Sequence, residues 1–325
     1  MKNFCELVLK NNGIVRPLVI DSSLTNGTGL FNPSIFIDGN KTYVNVRHCQ
    51  YTLYHAEMNK HEHPWGPLVY LNPENDVTLT TTNYFGELND DLSFKYYHKV
   101  DTSLLDIQPV WEFVGLEDCR IVKWNEKLYL SGVRRDTKTN GEGRMELSEL
   151  DVSENGVREV SRFRIPAPGN NDSYCEKNWM PILDMPYHYL KWCNPVDIVK
   201  VDVENKTCKS AFIGDRLFFD WDQRGGGQVI PFEDGYLCII HETTFQWSEA
   251  GRKDGTYRHR FIHWNKNWEP MGRSEKFSFL GAKIEFACGL AKKDDDIYVT
   301  FGFQDNAAYV LKTNVKTIKD FIYAQ

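Results

Sequence analysis

The chain has 325 residues, 41% of them hydrophobic and 26% charged, with a net charge of −7. This is the composition of an ordinary folded protein, and the acidic balance argues against nucleic acid and anionic membrane surfaces as partners. No apolar run approaches the roughly eighteen residues of a membrane span, and the start Met1-Lys2-Asn3-Phe4-Cys5-Glu6 lacks the pattern of a secretory signal. Eight cysteines are scattered without a C-x-x-C pair, so a structural metal site is not expected, and free buried thiols in a cytoplasmic protein are.

In chain order, five β-hairpins stand out. Ser34–Ile37 turns through Asp38-Gly39-Asn40 into Thr42–Arg47, and Arg120–Trp124 turns through Asn125-Glu126 into Leu128–Val133. Met180–Leu183 passes Pro186 to Tyr189–Cys193. Gln228–Phe232 turns at Glu233-Asp234-Gly235 into Tyr236–Ile240, and Cys288–Ala291 at Lys293-Asp294-Asp295 into Ile297–Phe301. Each is β-branched and aromatic, broken by turn residues. Val199–Val203 and Arg258–Trp264 supply further strands. The stretch 59–109 is expected to be an insertion carrying some strands, and residues 317–323 a short helix or closing segment. Regular repeats of this kind predict an all-β chain, a single five-bladed β-propeller over residues 1–325.

Polar clusters recur in phase with the hairpins. Asn32-Pro33-Ser34, Glu117-Asp118-Cys119-Arg120, Glu176-Lys177-Asn178-Trp179 and Arg224-Gly225-Gly226-Gly227-Gln228 precede first strands, with Lys283–Phe286 as a weaker fifth. Arg47-His48, Arg134-Arg135, Asn194, His241-Glu242 and Gln304-Asp305-Asn306 follow second strands. Equivalent blade ends converge on one axis, so these clusters predict one polar pocket in a central channel. Taken singly, each cluster reads equally well as a blade-corner cap. Acids and cations in one pocket suit inverting glycosyl transfer, with a carboxylic acid at the leaving oxygen and either activated water or phosphate as nucleophile. A structural network of ion pairs has the same composition. The triple glycine lacks the Walker lysine and the dinucleotide spacing; it allows close backbone approach to a ligand or to a channel wall, or forms a plain bulge. Trp111, Trp179 and Trp221 could stack on sugars, although core packing accounts for any one of them.

Gly115-Leu116-Glu117-Asp118-Cys119-Arg120, Glu176–Pro181, Arg224–Gly227, Ile240-His241-Glu242 and Phe301–Asp305 resemble glycoside hydrolase family 130. The resemblance spans residues 32–310. That family comprises β-mannoside phosphorylases, β-1,2-mannosidases and related mannosyltransferases on a five-bladed propeller. The resemblance implies Asp118 as catalytic acid, working through a sugar hydroxyl. It implies Arg47, Glu117, Arg120, Asn178, Glu242 and Asp305 as substrate contacts, and Lys177, Arg224 and His241 as the phosphate-binding set. The substrate would be an oligosaccharide or glycan. No metal or cofactor is implied, inorganic phosphate or a sugar nucleotide serving as co-substrate. The retained basic set favours a phosphate-bearing reactant over water, and so a phosphorylase or glycosyltransferase over a hydrolase. A non-catalytic glycan-binding propeller is the reading from another class. Cys119 replaces the family's usual proline, and Arg-Gly-Gly-Gly its Arg-Thr-Gly, which bears on reaction type more than on fold.

Overall fold

The computed structural model describes residues 2–51, 78–169, 173–215, 223–247 and 253–324. It is all-β apart from two short helices and one 3-10 turn among these residues. The strands form five antiparallel meanders, numbered I to V along the chain. Meander I is Leu30–Asp38, Lys41–Cys49, Leu79–Leu88 and Phe94–Asp101. Meander II is Leu116–Trp124, Lys127–Arg134, Arg144–Ser153 and Gly156–Arg164. Meander III is Met180–Pro181, His188–Cys193, Val196–Asp202 and Thr207–Ile213. In meander IV, Gln223–Gly225 and Ile230–Phe232 both pair with Gly235–Trp247, followed by Lys253–Trp264 and its partners Pro270–Arg273 and Phe277–Ser278. Meander V is Glu285–Lys293, Asp296–Phe303 and Ala307–Asn314; its fourth strand, Ile14–Leu18, comes from the other end of the chain.

All five hairpins read in the sequence are present as the first two strands of these meanders. Of the expected insertion at 59–109, residues 59–77 lie outside the described residues. Much of the remainder forms the regular third and fourth strands of meander I. Residues 317–323 fall within the helix Val315–Tyr323, which buries Val315, Ile318, Phe321 and Ile322 against meanders IV and V. The closing strand is instead Ile14–Leu18. Its Pro17 lacks an N–H, which is tolerated at a sheet edge.

Apolar residues alternate along the strands, and five of their six clusters among the described residues are each shared by two meanders: I with II, II with III, III with IV, IV with V, and V with I. The hydrophobic contacts therefore run in a closed cycle. Most sheet faces gain their burial from a neighbouring meander, and the cluster between IV and V also takes in residues of the helices Phe4–Lys10 and Val315–Tyr323. Near the middle, the buried Gln228 of IV donates to the Ile35 carbonyl of I at 2.8 Å and the Ile121 carbonyl of II at 2.9 Å, and accepts from the Leu290 N–H of V at 2.9 Å. One amide thus satisfies backbone groups from three other meanders that have no water to turn to. All eight cysteines are free thiols.

Candidate functional site

The first strands enter the site through bulges. In meander I the register slips between Phe31 and Ser34, and in II between Glu117 and Arg120. These slips leave Asn32 (φ 46°) and Asp118 (φ 50°) in the left-handed region, and Asn178 of III (φ 60°) shares it. Asn and Asp tolerate that conformation better than other side chains. The result places a short polar group at the start of the first strand in three successive meanders.

Asp118 is the hub. Its Oδ1 accepts from Arg47 Nη1 at 2.8 Å and from Asn32 Nδ2 at 2.8 Å. Burial alone would raise this carboxyl, but Arg47, Asn32 and Arg120 outweigh it and hold it below the usual carboxylate range. Arg47 also faces Glu117 at 3.4 Å, donates Nε to Thr81 Oγ1 at 3.2 Å and lies over the Phe31 ring. Burial works against its charge, and Asp118 and Glu117 hold it protonated. Asp305 sits beside this group and accepts from Tyr51 Oη at 2.9 Å. Burial, with Asp118 and Glu117 as like-charged neighbours, pushes its carboxyl up to about 6 despite Arg47 and Tyr51.

Arg120 links this carboxylate group to the cations. It is 1% exposed, and it donates Nη1 to the Asp118 carbonyl at 2.6 Å and Nε to the Gly226 carbonyl at 2.8 Å, with Nη2 3.5 Å from Asn178 Oδ1. Its guanidinium is thus committed to holding three meanders together. Beyond it, Lys177, Asn178 and Arg224 line a cavity of about 290 Å³ with Glu176, Lys191 and Trp192. Glu176 is engaged by Lys191 Nζ and Trp179 Nε1, each at 3.1 Å, and Lys177 and Arg224 add two further cations to the lining.

His241 pairs in register with Arg224 and is 2% exposed. Its ring stacks on Tyr257 at 5.5 Å and meets Phe286 edge-on. Burial first, then His259, Arg224, Arg120 and Lys177, push its pKa well below the ordinary value. It is therefore a neutral imidazole among cations. Its Nδ1 has no partner among the described residues, so it can meet an anion as a neutral donor but not as a charge.

The structure brings together Arg47, Glu117, Asp118 and Asp305, and on the other side of Arg120 it gathers Lys177, Asn178, Arg224 and His241. Glu242 goes elsewhere. Strand alternation puts it on the opposite face from His241, where it pairs with Arg260 at 3.0 Å and with Lys276. Trp179 is core between II and III, and Trp221 lies outside the described residues. Thr81, Tyr51 and Tyr257 were not singled out from sequence, and Asn32 only as part of the first polar cluster. Among the described residues no cluster of His, Cys, Asp or Glu is placed to hold a metal, and no helix is long and apolar enough to cross a membrane.

No family model matches the chain, and no curated protein matches it in sequence. Solved structures do match in fold. A β-1,2-mannobiose phosphorylase from Listeria innocua, solved with β-1,2-mannobiose, aligns with a TM-score of 0.54 at 14% identity, covering 92% of this chain and 93% of that one. A mannose phosphorylase from Leishmania mexicana, solved with a phosphate ion, aligns at 0.51 and 13% identity, covering 96% and 92%. A structure from the glycoside hydrolase 130 family of mannoside phosphorylases, described for hydrolases that target β-1,2 mannosidic linkages in Candida mannan, aligns at 0.51 and 13% identity, covering 89% and 85%. The chain therefore has the fold of the family that the sequence motifs resemble.

Proposed function

We propose that this chain is a five-bladed β-propeller enzyme that moves a glycosyl group, most simply a β-mannosyl group, between a phosphate-bearing reactant and a sugar hydroxyl, with inversion. The observation that carries the reading is the coupling of two unlike half-sites through Arg120: a carboxylate group around Asp118, and a cationic cavity lined by Lys177 and Arg224. Carboxylates and amides recognise sugar hydroxyls, and cations recognise phosphate. Structural neighbours crystallised with mannobiose and with phosphate support the same pairing.

The charge state of Asp118 bears on direction. A carboxyl held ionised by Arg47 and Asn32 is a base in the resting site. In synthesis it takes the proton of the accepting hydroxyl, through a neighbouring sugar hydroxyl or directly. The new C–O bond forms as the bond from the anomeric carbon to the phosphate oxygen breaks, and Lys177 and Arg224 hold the departing phosphate. In phosphorolysis the same group returns the proton to the leaving oxygen, as reversibility requires. The neutral His241 donates to the phosphate without adding charge.

A second reading, transfer from a sugar nucleotide, draws support from Trp192. This residue is 41% exposed at the edge of the anion cavity, where it could take a group larger than inorganic phosphate. The two readings separate by experiment. Release of sugar 1-phosphate from a β-mannoside on adding inorganic phosphate supports the first. Thermal stabilisation by a mannose nucleotide, with no response to phosphate, supports the second. In either case Asp118→Asn should lower turnover by about 10²–10⁴-fold while leaving glycan binding measurable by calorimetry. Full activity in that variant would remove Asp118 from the mechanism.

A further inference from the structure

The hairpin formed by Gly235–Trp247 and Lys253–Trp264 is the longest in the molecule among the described residues, paired from Tyr236↔Trp264 out to Trp247↔Lys253. Strand alternation places His241, Thr243, Phe245 and Trp247 on one face of it. Their cross-strand partners His259, Tyr257 and Gly255 share that face. Its lowest part lies inside the site, where His241 stacks on Tyr257. Going outward, exposure climbs from 2% at His241 to 46% at Phe245 and 78% at Trp247. Arg224, which lines the anion cavity, has its guanidinium 5.9 Å from the Phe245 ring centre, so the face is continuous with the cavity. Opposite Phe245 stands Gly255. A Cβ there would come 3.3 Å from the Tyr257 ring and 3.7 Å from the Phe245 ring, so glycine puts no side chain between them.

Large aromatic rings that stay substantially exposed beside a polar site mark a binding surface. Along a strand, alternate side chains are about 7 Å apart, comparable to one pyranose unit in a chain. A pyranose presents flat CH faces that pack on aromatic rings and hydroxyls at its edge, and Thr243 lies between the two ends of this face. We propose that this hairpin face is a run of subsites for the sugar rings of a glycan beyond the bond being made or broken, with Phe245 under the nearer ring and Trp247 under the next. The substrate on that side is then a chain of at least three units rather than a disaccharide. The inference rests on the glycosyl-transfer reading above.

The test uses the Asp118→Asn protein without phosphate or nucleotide, so that turnover does not compete with binding, titrated with β-linked manno-oligosaccharides of two to five units. Calorimetry gives affinity, and tryptophan fluorescence reports on Trp247. Affinity should rise by about tenfold or more between two and four units, with a fluorescence change that grows with length. Both the length dependence and that change should be lost when Trp247→Ala and Phe245→Ala are added. Equal affinity at every length, or a gain that survives the double substitution, overturns the subsites. The same result follows if the fluorescence change comes from a nucleoside diphosphate and not from the glycans. Failure of every glycan to bind overturns the glycosyl-transfer reading, and the subsites with it.

Discussion

Around Arg47, three carboxylates face one guanidinium. Glu117 and Asp118 take it directly, and Asp305 is left with Tyr51. The proton is therefore best held by Asp305, whose carboxyl lies at about 6. On the proposed glycosyl-transfer reading, a sugar closing over the pocket would strip more water from that carboxyl and favour its neutral form further. Binding then takes up a proton, and affinity for an uncharged glycan should weaken as pH rises above about 6, by at most about tenfold per pH unit. Asp305→Asn should flatten the profile; calorimetry between pH 5 and 8 without phosphate measures both. Much of this site was legible in sequence as polar clusters at equivalent offsets. Asn32 stands three residues before Ile35, as Asp118 stands three before Ile121, so its part could have been read from the same spacing. The separation of Glu242 from His241 was also readable, because neighbours on a strand face opposite sides. The shift at Asp305 was not readable, since it depends on which groups share one cation in space.

The five hairpins could be read because each carries its turn chemistry and β-branched runs locally. The third and fourth strands of meander I could not. Leu79–Leu88 and Phe94–Asp101 follow a long separation from their partner strand, and only tertiary pairing fixes them. The bulges were also hidden, because a slipped register leaves no composition signal beyond an Asn or Asp. Gly225-Gly226-Gly227 resolves in favour of the crowded wall. A Cβ on Gly225 would sit 2.1 Å from the Asn178 carbonyl oxygen, and one on Gly227 2.8 Å from the Gly289 carbonyl carbon and the Leu290 nitrogen. These atoms belong to backbones of meanders III and V, which cannot rotate away. Gly227→Ala should therefore destabilise the fold by about 1–3 kcal/mol through overpacking, read as a lower midpoint in urea with an unchanged slope.

For the molecule as a whole, buried imidazoles set the acid limit. His241 is held neutral well below its ordinary value, and burial with Arg258 brings His259 down to about 3. His259 Nε2 accepts the Ala287 N–H at 3.2 Å, which a protonated ring could not do. Once unfolded, both rings take a proton near 6.5, so each lowers stability as pH falls below that value, by up to about 1.4 kcal/mol per unit. Asp305 acts in the opposite sense. Its raised folded value adds stability that is fully present below about 4 and gone above about 6. Two imidazoles against one carboxyl leave a net loss on acidification from pH 6 to 4, which denaturant midpoints across that range will show. Replacing Asp305 by Asn should steepen the loss.

The closed cycle of contacts also constrains the order of events in making the protein. Ile14–Leu18 leaves a ribosome long before its partner Ala307–Asn314 does. Until the two meet, meander V lacks its outer strand and Ile14–Leu18 has no ladder to join, and the pairing closes a loop of nearly the whole described chain. Gln228 imposes the same wait at the centre, since its Leu290 partner lies in meander V. A nascent chain would thus hold unpaired edges until meander V emerges, and a product stalled or cut short before then would be exposed to aggregation rather than left as a smaller folded unit.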